Sequence, residues 1–339
     1  MVRTRRPPAV ALVLTKVTAT VREHDMTAPG DRVLVMVSGG PDSVCLLYSL
    51  WHLRRLLRIQ LEVFHFDHRL RPDSGADAAY VRRVADRLRL PFHLGVASDE
   101  PGHGMSVEMW ATSRRWHAAN DVRHAVGAAT MAEGHTLDDQ AETVLMNLIR
   151  GTGIEGLAGI EPGGRATTAW IQPLFDVRRH ETDAFCRSLH LRPRRDPMNE
   201  ERRYLRAALR LDVLPAIESA TGREVAEPIA RTAALLRGEL DLLRAQTFDA
   251  YERLVVGSAG EETRIDARGL RELPEQVGLR VVRLATYNTL AMGDTATFTN
   301  DTMRAVLDLA KGRPGRTRDL PMGRVAERDR THVTIRRRG

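Results

Sequence analysis

Only two cysteines occur in the 339 residues, Cys45 and Cys186, and no CxxC pair is present. A disulfide framework and a structural zinc are thereby excluded, and a reducing, cytoplasmic setting is expected. No apolar run approaches the ~18 residues needed to span a bilayer, so no membrane partner is expected. The opening MVRTRRPPAVALVLTKV has the basic start and short apolar run of a signal peptide. Lys16 and the polar residues after it, without a small-residue cleavage pattern, argue instead for a leading amphipathic helix within residues 1–30. Lysine itself is scarce: Lys16 and Lys311 are the only two among 51 basic residues. The formal charge of +7 is therefore carried by arginine, and it suits an acidic partner such as nucleic acid.

What is present is organised around Asp31 to Leu47, DRVLVMVSGGPDSVCLL. Val33 to Val37 is short, apolar and β-branched, which predicts a strand buried on both faces of a parallel sheet. Ser38 to Ser43 supplies a turn in which Gly39 and Gly40 let successive N–H groups face an anion, with the Ser38 and Ser43 hydroxyls as added donors. The helix that follows points its positive end at the same place. No Gly-Lys-Ser/Thr ending occurs, so this is not the common P-loop. Its cation is replaced by a carboxylate, Asp42, which beside phosphates requires a bridging metal ion or a facing donor.

Further along, IQLEVFHFDH predicts a second strand ending at His68, and strand–helix–strand implies a right-handed parallel crossover. Ligands of such sheets sit beyond the carboxyl ends of the strands, where Ser38–Ser43 and His65–His68 both fall. A helix from about Ser74 to Leu90, a strand FHLGV, a helix capped by Ser106 and a strand emerging at His135 continue the pattern. Then Asp139 and Glu142, three apart, share one face of a helix whose buried face is expected at Val144, Leu145 and Leu148. Such a pair facing the loop could hold Mg²⁺ or accept a proton. His65, Asp67 and His68 either line the pocket or hold the strand end, and a metal held by His65 and His68 lacks a third ligand. A helix is expected from Arg178 to Leu189, long helices from Glu224 to Leu254 and from Pro274 to Leu290, and a domain boundary between Pro215 and Arg223.

SGGPDS resembles the pyrophosphate loop of the N-type ATP pyrophosphatases. Together with HFDHRLRPDS, SVEMWATSRRW, the long HTLDDQAETVLMNLIRGTGIEGLAGI, QPLF and DPMNEERRYLRAALR, the chain is similar in order and spacing to the tRNA(Ile)-lysidine synthetase branch of that superfamily. DLPMGRVAERDRTHVTI near the end is similar to that family's C-terminal domain. The resemblance implies an α/β fold: a parallel-sheet, Rossmann-like nucleotide-binding domain of the adenine nucleotide alpha hydrolase type over 31–218, then a smaller helical and α+β tRNA-binding part over 219–339. It implies ATP and Mg²⁺ as cofactors, and adenylation of the wobble cytidine of the CAU-anticodon isoleucine tRNA followed by attack of free L-lysine.

The family pattern places the ATP loop on Ser38, Gly39, Gly40, Pro41, Asp42 and Ser43, and further functional positions on Arg115, His135, Asp139 and Glu142. Arg115 is the candidate to stabilise charge on the departing pyrophosphate. Arg202, Arg203, Arg206 and Arg210, in the densest basic segment, suit tRNA phosphates. Four positions depart from the pattern: Thr112 and Gln172 where arginine is usual, Thr136 where a second histidine is usual, and Ala207 for asparagine in RAALR. The metal ligands, the base among Asp42, Asp139 and Glu142, and the oligomeric state, a homodimer included, stay open. Two competing readings are a non-catalytic RNA-binding relative and another tRNA-modifying member of the superfamily. The thiolases of the superfamily commonly carry CxxC pairs, absent here.

Overall fold

The computed structural model describes residues 6–71, 73–102, 107–194, 202, 204–259, 261–290 and 298–338. The chain divides into two compact units, Met1–Leu236 and Arg237–Gly339.

The first unit is built on a five-stranded parallel sheet in the order β3-β2-β1-β4-β5: β1 (Arg32–Met36), β2 (Gln60–Asp67), β3 (Phe92–Val96), β4 (Thr130–Ala132) and β5 (Trp170–Ile171). Val33, Leu34 and Val35 of the central strand are fully buried, as a strand covered by helices on both faces requires. Five helices connect these strands: α2 (Pro41–Leu57), α3 (Ser74–Leu88), α4 (Val107–Val126), α5 (Leu137–Ile149) and the short α6 (Ile154–Leu157), with α1 (Pro8–Glu23) ahead of them and α7 (Arg179–Ser188) after. Ser106, the expected cap of α4, lies outside the described residues.

Helix α1 begins on Pro7 and Pro8, where a missing N–H is harmless, and buries Val10, Val13, Leu14, Val17 and Val21 against α2 and α7. The lysine that interrupts its apolar run has a structural partner: Lys16 Nζ donates to both oxygens of Glu181 on α7, at 2.7 and 2.8 Å. After α7 come α8 (Leu205–Ala208), a π-helical turn over Leu209–Val213 and α9 (Leu214–Thr221), and α10 (Ala226–Leu254) carries the chain past the division between the units.

In the second unit β6 (Val255–Ala259) and β7 (Glu262–Asp266) form a hairpin that the sequence pattern did not suggest. With β8 (Thr317–Leu320), β9 (Arg324–Arg328) and β10 (His332–Arg337) they make an antiparallel sheet in the order β6-β7-β10-β9-β8. Helices α11 (Ala267–Glu272), α12 (Glu275–Tyr287) and α13 (Asn300–Lys311) contribute Leu270, Val281, Val282, Met303 and Val306 to one core with Ile265, Val333 and Ile335. Among the described residues no helix is long and apolar enough to cross a membrane.

Candidate active site

The turn after β1 is shaped by its own side chains. Gly39 has φ +99°, a conformation that costs little only without a Cβ. The Ser43 hydroxyl accepts from the Gly39 N–H at 3.1 Å and donates to the Gly40 carbonyl at 3.0 Å, and Ser38 Oγ lies 3.1 Å from it. Gly40 caps α2, Pro41 opens it, and Asp42 in its first turn sits at the positive end of the helix. The end of β4 lies close by: a Cβ on Gly134 would stand 3.3 Å from the Asp42 carbonyl and the Ser43 nitrogen. Ser38, Asp42, Ser43 and Gly134 line a cavity of about 460 Å³ beyond the carboxyl ends of β1, β2 and β4, the position expected of a ligand in such a sheet.

Two acids expected at the site come from the start of α5. Thr136 makes a capping box there: its N–H and hydroxyl both donate to Asp139 Oδ2, at 2.9 and 2.7 Å, and its oxygen accepts from the Asp139 N–H. The threonine at the place of the family's second histidine therefore fixes the rotamer of Asp139. The buried face of α5 only partly coincides with the one the apolar pattern indicates: Val144 is buried as expected, Leu145 is half-buried and Leu148 is not buried. Asp139, Gln140, Ala141 and Glu142 are buried with Val144 and Met146, whereas Leu148 is 57 % exposed. Apolar spacing misleads here because the carboxylates meet guanidinium groups inside the unit.

The centre of the cluster is a residue that sequence reasoning did not single out. The three nitrogens of Arg179 each face a different carboxylate: Nη1 to Glu142 Oε1 at 2.9 Å, Nη2 to Asp139 Oδ1 at 2.9 Å, and Nε to Asp42 Oδ2 at 3.7 Å. Thr182 Oγ1, one turn further along α7, donates to Asp42 Oδ1. Arg178 and Arg179 open α7, where the helix dipole disfavours cations. That misplaced pair was the legible signal, and its acidic partners explain it.

Burial pushes the Asp42 carboxyl up to about 6, with the neighbouring Asp139 charge adding to the effect and the Thr182 hydrogen bond opposing it. Burial acts the same way on Asp139, but the charges of Arg179 and His135 overcome it and hold that carboxyl at about 2. Arg179 is kept firmly protonated by Asp139 and Glu142 although burial works against its charge.

Beside it, Asp138 receives Arg178 Nε and Nη2, both at 3.1 Å, and the Arg179 N–H at 2.7 Å. Burial would raise this acid, yet the Arg178 hydrogen bonds and charge lower it. A lowered acid stabilises the fold above its unfolded pKa and loses that contribution as pH falls. Asp138→Asn should therefore lower stability at neutral pH by about 1.5–3 kcal/mol, the range for hydrogen bonds to charged groups. In thermal melts across pH, the gap to the parent should close as pH drops below about 4.

Arg115 and His135 line the same cavity on another side. Both approach Glu133 at the end of β4, Arg115 Nη2 at 3.4 Å and His135 Nδ1 at 3.6 Å, and Gln172 Nε2 donates to the same carboxylate at 3.4 Å. Glu133 is a second residue the sequence did not reveal. Of the two arginines in SRRW, Arg115 takes the pocket and Arg114 pairs with Asp99. His65 does both things open to it: it lines the cavity, and its Nδ1 lies 2.7 Å from the Val37 carbonyl. Thr112 is exposed on α4, and Ala207 is buried in α8.

The basic segment is divided by the structure. Arg210 grips Glu142 through Nε at 2.8 Å and Nη2 at 2.9 Å, and Arg206 Nε lies 3.3 Å from Glu142 with its Nη2 on Thr143 Oγ1. Both line the cavity. Arg202 is exposed and paired with Asp212, and Arg203 lies outside the described residues.

Among the described residues no three His, Cys, Asp or Glu side chains are gathered so as to hold a metal ion by themselves. Asp42 and Asp139 both line the cavity, and a pair of carboxylates suits Mg²⁺ arriving with a nucleotide, since that ion commonly takes one or two carboxylates and completes its shell with substrate phosphates and water.

A parallel sheet, a glycine turn opening a helix and carboxylates beyond the strand ends define a nucleotide-binding domain of the pyrophosphate-loop kind, and a PP-loop domain model matches residues 13–217. The tRNA(Ile)-lysidine synthase of Symbiobacterium thermophilum is 40% identical over 284 residues, 80% of this chain and 58% of that protein. The synthase of Gloeobacter violaceus is 33% identical over 297 residues, 87% of each chain, and that of Caldanaerobacter subterraneus 31% identical over 330 residues, 96% and 69%. The chain belongs to the tRNA(Ile)-lysidine synthase family. It spans 51% to 87% of the length of these and other curated relatives, about half for several of them. The U34-tRNA thiolase NcsA of Methanococcus maripaludis shares the fold, with a TM-score of 0.55 at 18% identity over 67% of this chain and 80% of that one.

Proposed function

We propose that this chain uses ATP to adenylate the wobble cytidine, position 34, of the CAU-anticodon isoleucine tRNA and then lets free L-lysine displace AMP, giving lysidine. The observation that carries the reading is the convergence of Asp42 from the loop, Asp139 from α5 and Arg115 from α4 on one cavity, in a chain of this family.

The Ser38–Ser43 turn and the first turn of α2 face the pyrophosphate portion of ATP, where the positive end of the helix favours an anion. Asp42 and Asp139 would hold Mg²⁺, which supplies charge neutralisation to the phosphates when bound. Arg115, positioned by Glu133, faces the negative charge that develops as pyrophosphate leaves, with His135 beside it. In the second step the lysine ε-ammonium, with an ordinary pKa near ~10.4, must give up a proton before its nitrogen attacks C2 of the base, and the carboxylates of this pocket are the available acceptors. Arg202 and Arg203 are assigned to tRNA phosphates. Arg206 and Arg210 serve first to balance Glu142. A cytoplasmic location accords with this chemistry.

Incubating the chain with ATP, labelled lysine and total bacterial tRNA tests the proposal. Label should enter tRNA in an ATP-dependent manner, with pyrophosphate released; pyrophosphate release without lysine transfer, or no transfer at all, would refute it.

A further inference from the structure

Arg179 occupies the place between carboxylates that a cation would take. Its nitrogens face Asp42, Asp139 and Glu142 at 2.9 to 3.7 Å, so one fixed positive charge is shared by acids from α2 and α5. The remaining oxygens of these acids are also engaged: Asp139 Oδ2 by Thr136, Asp42 Oδ1 by Thr182, and Glu142 by Arg206 and Arg210. A dication entering alone would meet the guanidinium at contact distance, and among the described residues no three acids, histidines or cysteines are gathered to hold it. Phosphates arriving with it would complete its shell and would offset the charge of the guanidinium.

From this geometry we infer that Arg179 is a built-in counter-ion that keeps the pocket from binding a divalent cation until a nucleotide brings one. The inference rests on the reading that the pocket takes a metal–nucleotide complex. Arg179 acts here as a positioning residue. It holds the carboxylates of two helices toward one point and sets the order in which ligands enter.

The test is Mn²⁺ binding, followed by electron paramagnetic resonance of the free ion, on the full chain with and without a non-hydrolysable ATP analogue. Mn²⁺ reports on oxygen sites of the Mg²⁺ kind. Wild type should bind Mn²⁺ with the analogue and only weakly without it. Arg179→Gln, which keeps a polar side chain and removes the charge, should bind Mn²⁺ without nucleotide at least about tenfold more tightly than wild type, a conservative share of the effect of deleting a unit charge at contact distance. Arg179→Lys, which keeps the charge, should resemble wild type; packing loss alone would move both variants together.

Equal Mn²⁺ affinity in wild type with and without the analogue overturns the inference, and this arm needs no variant to fold. So does an Arg179→Gln chain, folded by circular dichroism, whose nucleotide-free affinity matches wild type. If wild type takes no Mn²⁺ even with the analogue, the nucleotide reading itself fails and the inference falls with it.

Discussion

Asp42→Asn should lose at least about 10²-fold in turnover, the scale on which single preorganised electrostatic groups act in charge-developing steps. The substitution keeps the volume of the side chain and removes one of two charges from the proposed Mg²⁺·pyrophosphate contact. It should not weaken the fold. Burial lifts this carboxyl to about 6, whereas an unfolded aspartate releases its proton near 3.8. Between those values the unfolded state ionises more readily than the folded one, so the aspartate lowers stability as pH rises through that window. Asparagine does not titrate. In metal-free buffer the melting temperature of Asp42→Asn relative to the parent should therefore rise from pH 4 to pH 6 and then level off. Normal turnover with this same melting behaviour would refute the assignment of the loop.

For Arg210→Ala the expected effect falls on the fold. Glu142 has no exposed side-chain surface, and Arg210 supplies two of its close hydrogen bonds, at 2.8 and 2.9 Å. Removing one partner of a buried pair leaves a charge without its counter-charge, which costs about 3–5 kcal/mol. Arg179 and Arg206 remain near Glu142, so the lower end applies, a fall of roughly 6–12 °C in Tm for a unit of this size. Arg202→Ser is the contrast. Its pair with Asp212 is exposed and worth about 0–1 kcal/mol, so its melting should match the parent. If Arg202 meets a tRNA phosphate, the log–log salt slope of tRNA binding should flatten by about one. Arg210→Ala with unchanged melting and a flattened slope would return Arg210 to the tRNA interface.

Much of the candidate site was legible in the chain. The strand, glycine turn and helix of Asp31 to Leu47 are local features: β-branched burial, a backbone that only Gly39 adopts without strain, and an N-terminal Pro41 act over a few residues. The α5 acids were legible from their spacing and, with SRRW, from the family resemblance, which also named the fold class that the strand–helix–strand order implied.

Tertiary structure decided the pairings. No local rule reveals that Arg179, some 40 residues from Asp139 and Glu142, meets both, because an ion pair depends on which helix ends the sheet brings together. On α5 the expected Val144 is buried, but Leu148 is exposed and Asp139 and Glu142 are buried, for the same reason: hydrophobic spacing records transfer of apolar groups from water and does not register carboxylates whose desolvation is offset by guanidinium groups. Glu133 and the β6–β7 hairpin likewise acquired their meaning only when the chain folded. The sequence by itself determined the strand and loop chemistry, since covalent geometry and burial preference act locally. Which charges balance which was settled by long-range packing, where Coulomb attraction at about 3 Å between partly buried groups outweighs any preference written in neighbouring residues.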